Sequence, residues 1–234
     1  MRSRVLGLFG LVFLALGCKE SVESTDIRTT GIYPEITVEA EGSGSSTVTV
    51  KLKVGGSNSN TFLELTGGDT LEATVDGETK TLRETSDEVY SASFPVDAEG
   101  TEFLIAFLRT EEDESAPASV VQLPAPFELE VAPREASRAT DDVELTWDPP
   151  ADGDLDWDMS GECIEREFDE IPDDGTYTVT ADSIEPFLES DKEESCTVSV
   201  QLERSLRGSI DEAFTEGGRI VAIQRRRGSF TSTP

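Results

Sequence analysis

The sequence contains no histidine, and this absence removes several classes of enzyme at once. Ser-His-Asp and Cys-His nucleophile systems use an imidazole as general base, and most catalytic zinc sites use it as a ligand. The sequence also lacks a glycine-rich dinucleotide or phosphate-binding loop in a strand–helix setting. A hydrolase built on two carboxylates remains as the enzymatic alternative. With 49 acidic residues, however, any pair can be chosen, so the sequence predicts a non-enzymatic protein.

Basic residues are scarce as well: 19 Lys and Arg stand against 49 Asp and Glu, which gives a net charge of −30. Such a charge repels nucleic acids and attracts cations or basic partners. We therefore expect no nucleic-acid binding. Strong acidity also occurs in disordered chains, but here the apolar residues cluster in alternating runs, which favours a packed fold with a charged exterior.

No apolar run is long enough for a comfortable membrane span, yet the N-terminus has a short one. Arg2 and Arg4 precede 13 apolar residues, 5–17, whereas a spanning helix needs about 20. This arrangement is typical of an export signal. The run ends in Leu-Ala-Leu-Gly-Cys18, which resembles the lipobox of bacterial lipoproteins. The resemblance implies cleavage after Gly17, diacylglycerol on the Cys18 thiol and acylation of the new amino terminus, enough for stable anchoring.

The same resemblance implies a location in the bacterial cell envelope, with the membrane as a partner through the lipid. Lys19 follows the cysteine in place of the aspartate that is the better-known inner-membrane retention signal, so we expect the outer membrane, on its periplasmic or its exposed side. Envelope proteins or glycans are the expected further partners. The alternative is an ordinary signal peptide with a coincidental cysteine, which predicts a freely secreted protein.

Only three cysteines are present, and Cys18 belongs to the signal. Cys163 and Cys196 remain as an even pair in an oxidising compartment, where we predict a disulfide. A bridge across this separation stabilises a fold by about 3–4 kcal/mol in the chain-entropy model. A zinc site is the weaker alternative, because no histidine completes it.

Alternating apolar and polar residues dominate the chain and predict an all-β fold. Residues 18–31 are polar and aperiodic, and we predict a flexible tether there. Short strands then follow one another from 32 to 124, with Asp76-Gly77 as a tight hairpin turn. Pro124-Ala125-Pro126 predicts a boundary. A second series of strands occupies residues 127–234. We therefore predict two tandem antiparallel β-sandwiches, with one continuous domain as the alternative.

The second series begins with a strand that ends in Trp147-Asp148-Pro149-Pro150. This pattern resembles the second strand of fibronectin type III-like modules, in which the tryptophan is a core residue and the prolines turn the chain. The resemblance implies an immunoglobulin-like or fibronectin III-like sandwich that binds or spaces rather than catalyses. The late-strand tyrosine of that family has no clear counterpart, because Tyr177 falls in a middle strand.

An acidic cluster follows, and it permits two interpretations. Asp152, Asp154, Asp156 and Asp158 provide the oxygen ligands that calcium prefers. The EF-hand pattern nevertheless fails in both registers. Counted from Asp152, position six is Trp157 and position twelve is Cys163. Counted from Asp154, position six is Met159, although position twelve is Glu165.

The other interpretation is a strand over residues 155–163, with Asp154, Asp156 and Asp158 in a solvent-facing row and Leu155, Trp157 and Met159 inward. In this interpretation we expect no cofactor, and loosely bound divalent cations would only relieve the repulsion within the row.

Arg225-Arg226-Arg227 is the only basic run in the chain. It is either a docking site for an acidic ligand or, as we expect, a set of cross-strand partners for acidic neighbours.

From these observations we expect a lipid-anchored, non-enzymatic binding or spacer protein of the envelope. The alternatives are a calcium- or ligand-responsive receptor that uses the Asp152–Asp158 cluster, and a carboxylate-based hydrolase of an envelope polymer.

Overall fold

A computed structural model describes residues 20–86, 88–110, 114–188 and 193–234. The fold is all-β, as predicted, and two single 3-10 turns, at Ser24–Asp26 and Thr29–Gly31, precede its second strand. The first ten strands are β1 Glu20–Glu23, β2 Ile32–Ala40, β3 Ser46–Val54, β4 Thr61–Glu64, β5 Thr70–Val75, β6 Glu78–Thr81, β7 Arg83–Ser86, β8 Val89–Phe94, β9 Glu102–Leu108 and β10 Ala116–Gln122.

Eight further strands follow the proline-rich boundary. They are β11 Glu128–Ala132, β12 Glu135–Ser137, β13 Val143–Asp148, β14 Asp154–Gly161, β15 Ile164–Pro172, β16 Thr176–Val179, β17 Cys196–Arg207 and β18 Arg219–Thr233.

One sheet of 11 strands runs through the whole molecule, in the order β1-β4-β3-β2-β18-β17-β14-β15 with β7, β8 and β12 attached beside this path. A four-stranded sheet, β10-β9-β5-β6, packs on its first part, and a three-stranded sheet, β11-β13-β16, packs on its second part. The molecule is therefore two β-sandwiches that share one long layer.

The first sandwich is built from the predicted alternating strands. In β2 every second residue is buried, from Ile32 to Ala40, because successive side chains of a strand point to opposite faces. The predicted turn at Asp76 and Gly77 joins β5 to its antiparallel partner β6, and both residues have positive φ, 49° and 83°. That geometry matches the twist of paired strands. Phe94, Phe103 and Phe107 lie in this core.

The second sandwich has its own core, which holds both tryptophans of the chain. Trp147 and Trp157 are each 4% exposed, so the predicted core role of both is confirmed. Three strands in one layer, β11, β13 and β16, face β15, β14, β17 and β18 in the other.

The last strand, β18, does not follow the predicted division of the chain, in which residues 127–234 belong to the second sandwich alone. The first part of β18 pairs in parallel with β2, from Arg219 opposite Glu35 to Gln224 opposite Ala40, and Ile220, Ala222 and Phe214 pack in the first core. The later part of β18 carries Phe230 into the second core. The proline segment thus separates the two cores, but the C-terminal strand belongs to both.

The N-terminal segment also differs from the predicted tether. Residues 20–23 form β1, which pairs in parallel with β4, and Ser24 and Thr29 are buried. The segment is polar because its side chains and carbonyls bind other polar groups: the Ser24 Oγ hydroxyl donates to the Thr66 carbonyl at 3.3 Å and accepts from the Thr66 amide at 3.0 Å.

Strand β15 was not predicted. Of its residues only Ile164 and Ile171 are buried, since β15 is the edge of the long sheet and most of its side chains face solvent. An edge strand of this kind has no alternating signature.

Candidate functional site

A solvent-facing groove lies on the outer surface of β15, β14 and β17. Phe168 is 72% exposed, the largest exposure among the large apolar side chains of the described residues. It lies opposite Asp158 of β14, and the groove beside it has a volume of about 460 Å³. The lining residues are Asp156, Trp157, Asp158, Arg166, Phe168, Asp169, Glu170, Gln201 and Glu203. Five carboxylates against one guanidinium make this groove strongly acidic. We call it the Phe168 face.

Three of the four aspartates predicted as metal ligands lie in one row on β14. Asp154, Asp156 and Asp158 point outward, while Leu155, Trp157 and Met159 are buried, so the predicted strand pattern is confirmed. Asp152 precedes the strand and is exposed.

The row is not assembled into a cage. Asp158 accepts a hydrogen bond from Arg166 Nε at 2.6 Å. In the part of the chain that the structure describes, no three His, Cys, Asp or Glu side chains are grouped to hold a metal ion. Calcium binding by this cluster stays a prediction.

The arginine run divides between the two sides of β18. Arg225 donates to Glu39 and Glu203 at 2.5 Å each, and Arg227 pairs with Glu41. The expected cross-strand neutralisation is therefore confirmed for these two arginines. Arg226 points to the opposite side, where it is 8% exposed and its guanidinium carbon lies 5.3 Å from the centre of the Phe127 ring.

The Glu39 carboxyl lies among several charged groups, which include Arg225 and the carboxylates of Glu41 and Glu203. Burial raises the pKa of the Glu39 carboxyl, and although Arg225 opposes the shift, the neighbouring Glu41 and Glu203 add to it. Loss of hydration thus outweighs a single close guanidinium. The Glu39 and Glu203 carboxylates share Arg225 and so form part of an ion-pair ladder.

A second set of carboxylates lies around Glu167 of β15. Burial, and then the charges of Glu185 and Glu165, raise the pKa of Glu167. Burial also raises the pKa of Tyr177, whose ring centre lies 5.2 Å from that of Trp157. The open edge of the second sandwich is therefore acidic on both faces of β15.

Behind the Phe168 face, a buried ion pair ties the second sandwich to the segment that precedes it. Arg204 of β17 donates to Asp173 through Nε at 2.5 Å and through Nη2 at 2.8 Å, and both side chains are at most 6% exposed. The same guanidinium donates to the carbonyl of Ala125, in the predicted boundary, at 2.8 Å. Trp147 Nε1 donates to Asp173 at 2.7 Å. Sequence reasoning missed this cluster, because isolated Arg and Asp residues give no local signal.

The predicted disulfide is present between Cys163 and Cys196, with 5.8 Å between their Cα atoms. It ties the end of the β14–β15 hairpin to the start of β17. Arg138, 6% exposed, donates to the Cys163 sulfur at 3.2 Å and to the Glu194 carbonyl at 2.8 Å. The two cysteines close the far end of the second sandwich.

Cys18, the predicted lipidation site, lies outside the described residues, as do the export signal and Lys19. Among the residues that are described, no helix is both long and apolar enough to cross a bilayer.

No protein-family model matches this chain, and no curated protein matches its sequence. The resemblances to the lipobox and to fibronectin type III-like modules therefore stay predictions.

Proposed function

We propose that this protein is a non-enzymatic, lipid-anchored protein of the bacterial envelope that presents the Phe168 face to a cationic, extended partner segment. The observation that carries the proposal is Phe168 itself. This aromatic side chain is 72% exposed on the edge strand of a sheet, with the Arg166 guanidinium carbon 5.6 Å from its ring centre and five carboxylates in the groove beside it. Such an arrangement is typical of a recognition surface.

The edge of β15 supports the extended shape of the partner. Apart from the bridge between Ile164 and Pro186, β15 pairs within the described residues only with β14, so its outer side has no further strand partner beyond that bridge. One main-chain group there is already bound, since the Glu170 amide donates to Asp169 Oδ1 at 2.8 Å. An added strand gains affinity from main-chain hydrogen bonds and specificity from side chains on one face.

The charges support a basic partner. Asp169 and Glu170 lie on the edge strand, and Asp156 lies beside them on β14. Two copies of this edge would place carboxylates opposite one another and repel, whereas Lys or Arg residues would pair with them. Self-association through β15 is thus disfavoured by the same side chains that favour a basic segment.

Anchoring is tested by intact mass and membrane partitioning of the full chain expressed in a bacterium, beside Cys18→Ser. We expect lipid mass and membrane association for the wild type only. Release of both as soluble protein would contradict the anchor and favour a freely secreted binding protein.

The Phe168 face is tested separately by calorimetric titration with a short peptide of alternating lysine and valine. We expect Phe168→Ser and Glu170→Lys each to weaken binding by about tenfold or more, since a buried aromatic anchor or a charge pair commonly contributes 1–3 kcal/mol. Glu144→Lys is the matched control, because Glu144 is an exposed strand residue on the other sheet. Equal affinity for all three variants would exclude this face.

A further inference from the structure

We infer that, once anchored, the protein stands with the Glu20 end of its first sandwich against the lipid surface and its second sandwich directed away from the membrane. This inference rests on the lipid anchor at Cys18 that is proposed above. It concerns a surface, defined here as the anchor end: residues 20–33, 55–60 and 210–219.

The described chain begins at this end. Glu20 is opposite Thr61 at the start of β4, and its amide donates to the Asn60 carbonyl at 3.3 Å. Only Lys19 separates Glu20 from Cys18. Two residue steps span at most about 7 Å, so an acylated Cys18 places β1 close to the lipid headgroups.

The following residues are fixed to the sandwich and provide no slack. Arg109 donates through Nη2 to the Ser24 carbonyl at 2.6 Å and through Nη1 to the Ile27 carbonyl at 2.7 Å. Its charge is balanced by Asp69, 3.2 Å away, and both side chains are at most 3% exposed. A segment tied by a buried ion pair and its own carbonyls does not act as a flexible tether.

The second sandwich lies at the opposite end. The Gly55 amide donates to the Gly31 carbonyl at 3.2 Å, which places the 55–60 loop beside the start of β2. Strand β18 enters the sheet nearby, with Arg219 opposite Glu35, and leaves it with Ser232 opposite Cys196. At about 3.3 Å per residue, the disulfide lies about 40 Å further along β18 than Arg219.

Charge does not distinguish the two surfaces. The anchor end carries six carboxylates against Arg28 and Arg219, and the Phe168 face carries five against Arg166, so both are acidic. An anionic membrane repels either surface within a Debye length of about 8 Å. The orientation is therefore set by the short link from Cys18 to the docked residues 20–31, which holds the anchor end at the lipid surface and leaves the Phe168 face free.

The test is energy transfer from a dye on the protein to acceptor lipids in vesicles that carry the lipidated full chain. The dye is attached to Asn58→Cys at the anchor end or to Thr140→Cys near the opposite end, both exposed positions. The matched control carries a flexible Gly/Ser insertion between Lys19 and Glu20 in each variant.

We expect transfer from position 58 to exceed that from position 140 several-fold, and the insertion to reduce the transfer from position 58 strongly. Equal transfer from both positions, or a larger transfer from position 140, would overturn the inference while leaving the anchor intact. Failure of the anchor itself is distinguishable, since neither labelled variant would then float with the vesicles, and that result overturns both proposals.

Discussion

The two sandwiches share a sheet but are closed in different ways. In the first, one side is bridged: the chain leaves β17 and crosses to the opposite sheet, where Ser209 and Val120 exchange two main-chain hydrogen bonds of 2.8 and 2.9 Å, while β1 and β6 remain edge strands. In the second, β15 and β16 are edge strands, and the Cys163–Cys196 disulfide holds the far end. The bridged sandwich lies at the proposed anchor, and the second sandwich, open along β15, carries the Phe168 face. An open sheet edge is a liability unless it is charged or used for binding, and here it is acidic.

Among the residues that the structure describes, each sandwich also contains one buried Arg–Asp pair, and the two pairs fix different segments. Arg109 and Asp69 hold the N-terminal segment on the first sandwich, whereas Arg204 and Asp173 hold the Ala125 end of the connecting segment on the second. Buried pairs contribute little net stability compared with apolar residues, but removing one partner leaves an uncompensated charge. We therefore infer that both ion pairs fix the position of a chain segment against a sandwich and add little net stability.

The largest expected effect is at the junction. Asp173→Ala removes the acceptor of both Arg204 and Trp147, so we expect the free energy of unfolding to fall by about 3–5 kcal/mol. Urea unfolding followed by tryptophan fluorescence measures this, since both tryptophans lie in the second core. Asp174→Ala, at an exposed neighbour, should cost less than about 1 kcal/mol. An equal cost for the two would show that the junction is not held by this pair.

Removal of the disulfide should be next in size. The double variant Cys163→Ala, Cys196→Ala is expected to lose about 3–4 kcal/mol of unfolding free energy, because the unfolded chain regains the entropy of the open loop. Thermal unfolding with and without a reductant measures the loss. Reductant should lower the melting temperature of the wild type and leave the double variant unchanged; a reductant-insensitive wild type would contradict a stabilising bridge.

Closure of the first sandwich is tested at Gly208. An added Cβ there would lie 2.0 Å from the Val120 carbonyl oxygen, so Gly208→Ala must displace backbone and should cost about 1–3 kcal/mol. Circular dichroism during urea unfolding is the measurement. Gly31→Ala is the control, since its Cβ would meet only Ile27 Cγ2, at 3.7 Å. If both substitutions are equally mild, main-chain closure does not stabilise the first sandwich.

The smallest effect is expected at the acidic margin of the open sandwich. The pKa of Glu167 is raised in the folded protein, so the folded state holds this proton more tightly than the unfolded state, and stability falls as pH rises from 4.5. Glu167→Gln should therefore raise the melting temperature slightly at pH 7 and have no effect well below pH 4.5. Scanning calorimetry at both pH values tests this, with Glu144→Gln, at an exposed strand residue of the other sheet, as the reference. A gain that persists at low pH would assign the effect to something other than ionisation.

Local patterns in the sequence predicted the parts of this fold that depend on neighbouring residues. Alternation in β2 and β14 predicted which side chains are buried, because side chains of a strand alternate between faces whatever the strand pairs with. Asp76-Gly77 predicted its hairpin through the positive φ that such a turn requires. Cys163 and Cys196 were predicted as partners because they were the only two left.

The tertiary structure alone decided the rest. That β18 joins both cores, that residues 20–31 dock on the first sandwich and that Arg204 reaches Asp173 all depend on segments distant in sequence. Phe168 gave no signal either, since an exposed edge strand shows no periodicity and an aromatic residue is ordinarily counted toward the core. Periodicity specifies the face that each strand buries, but which strands meet is decided by the packing of the whole chain.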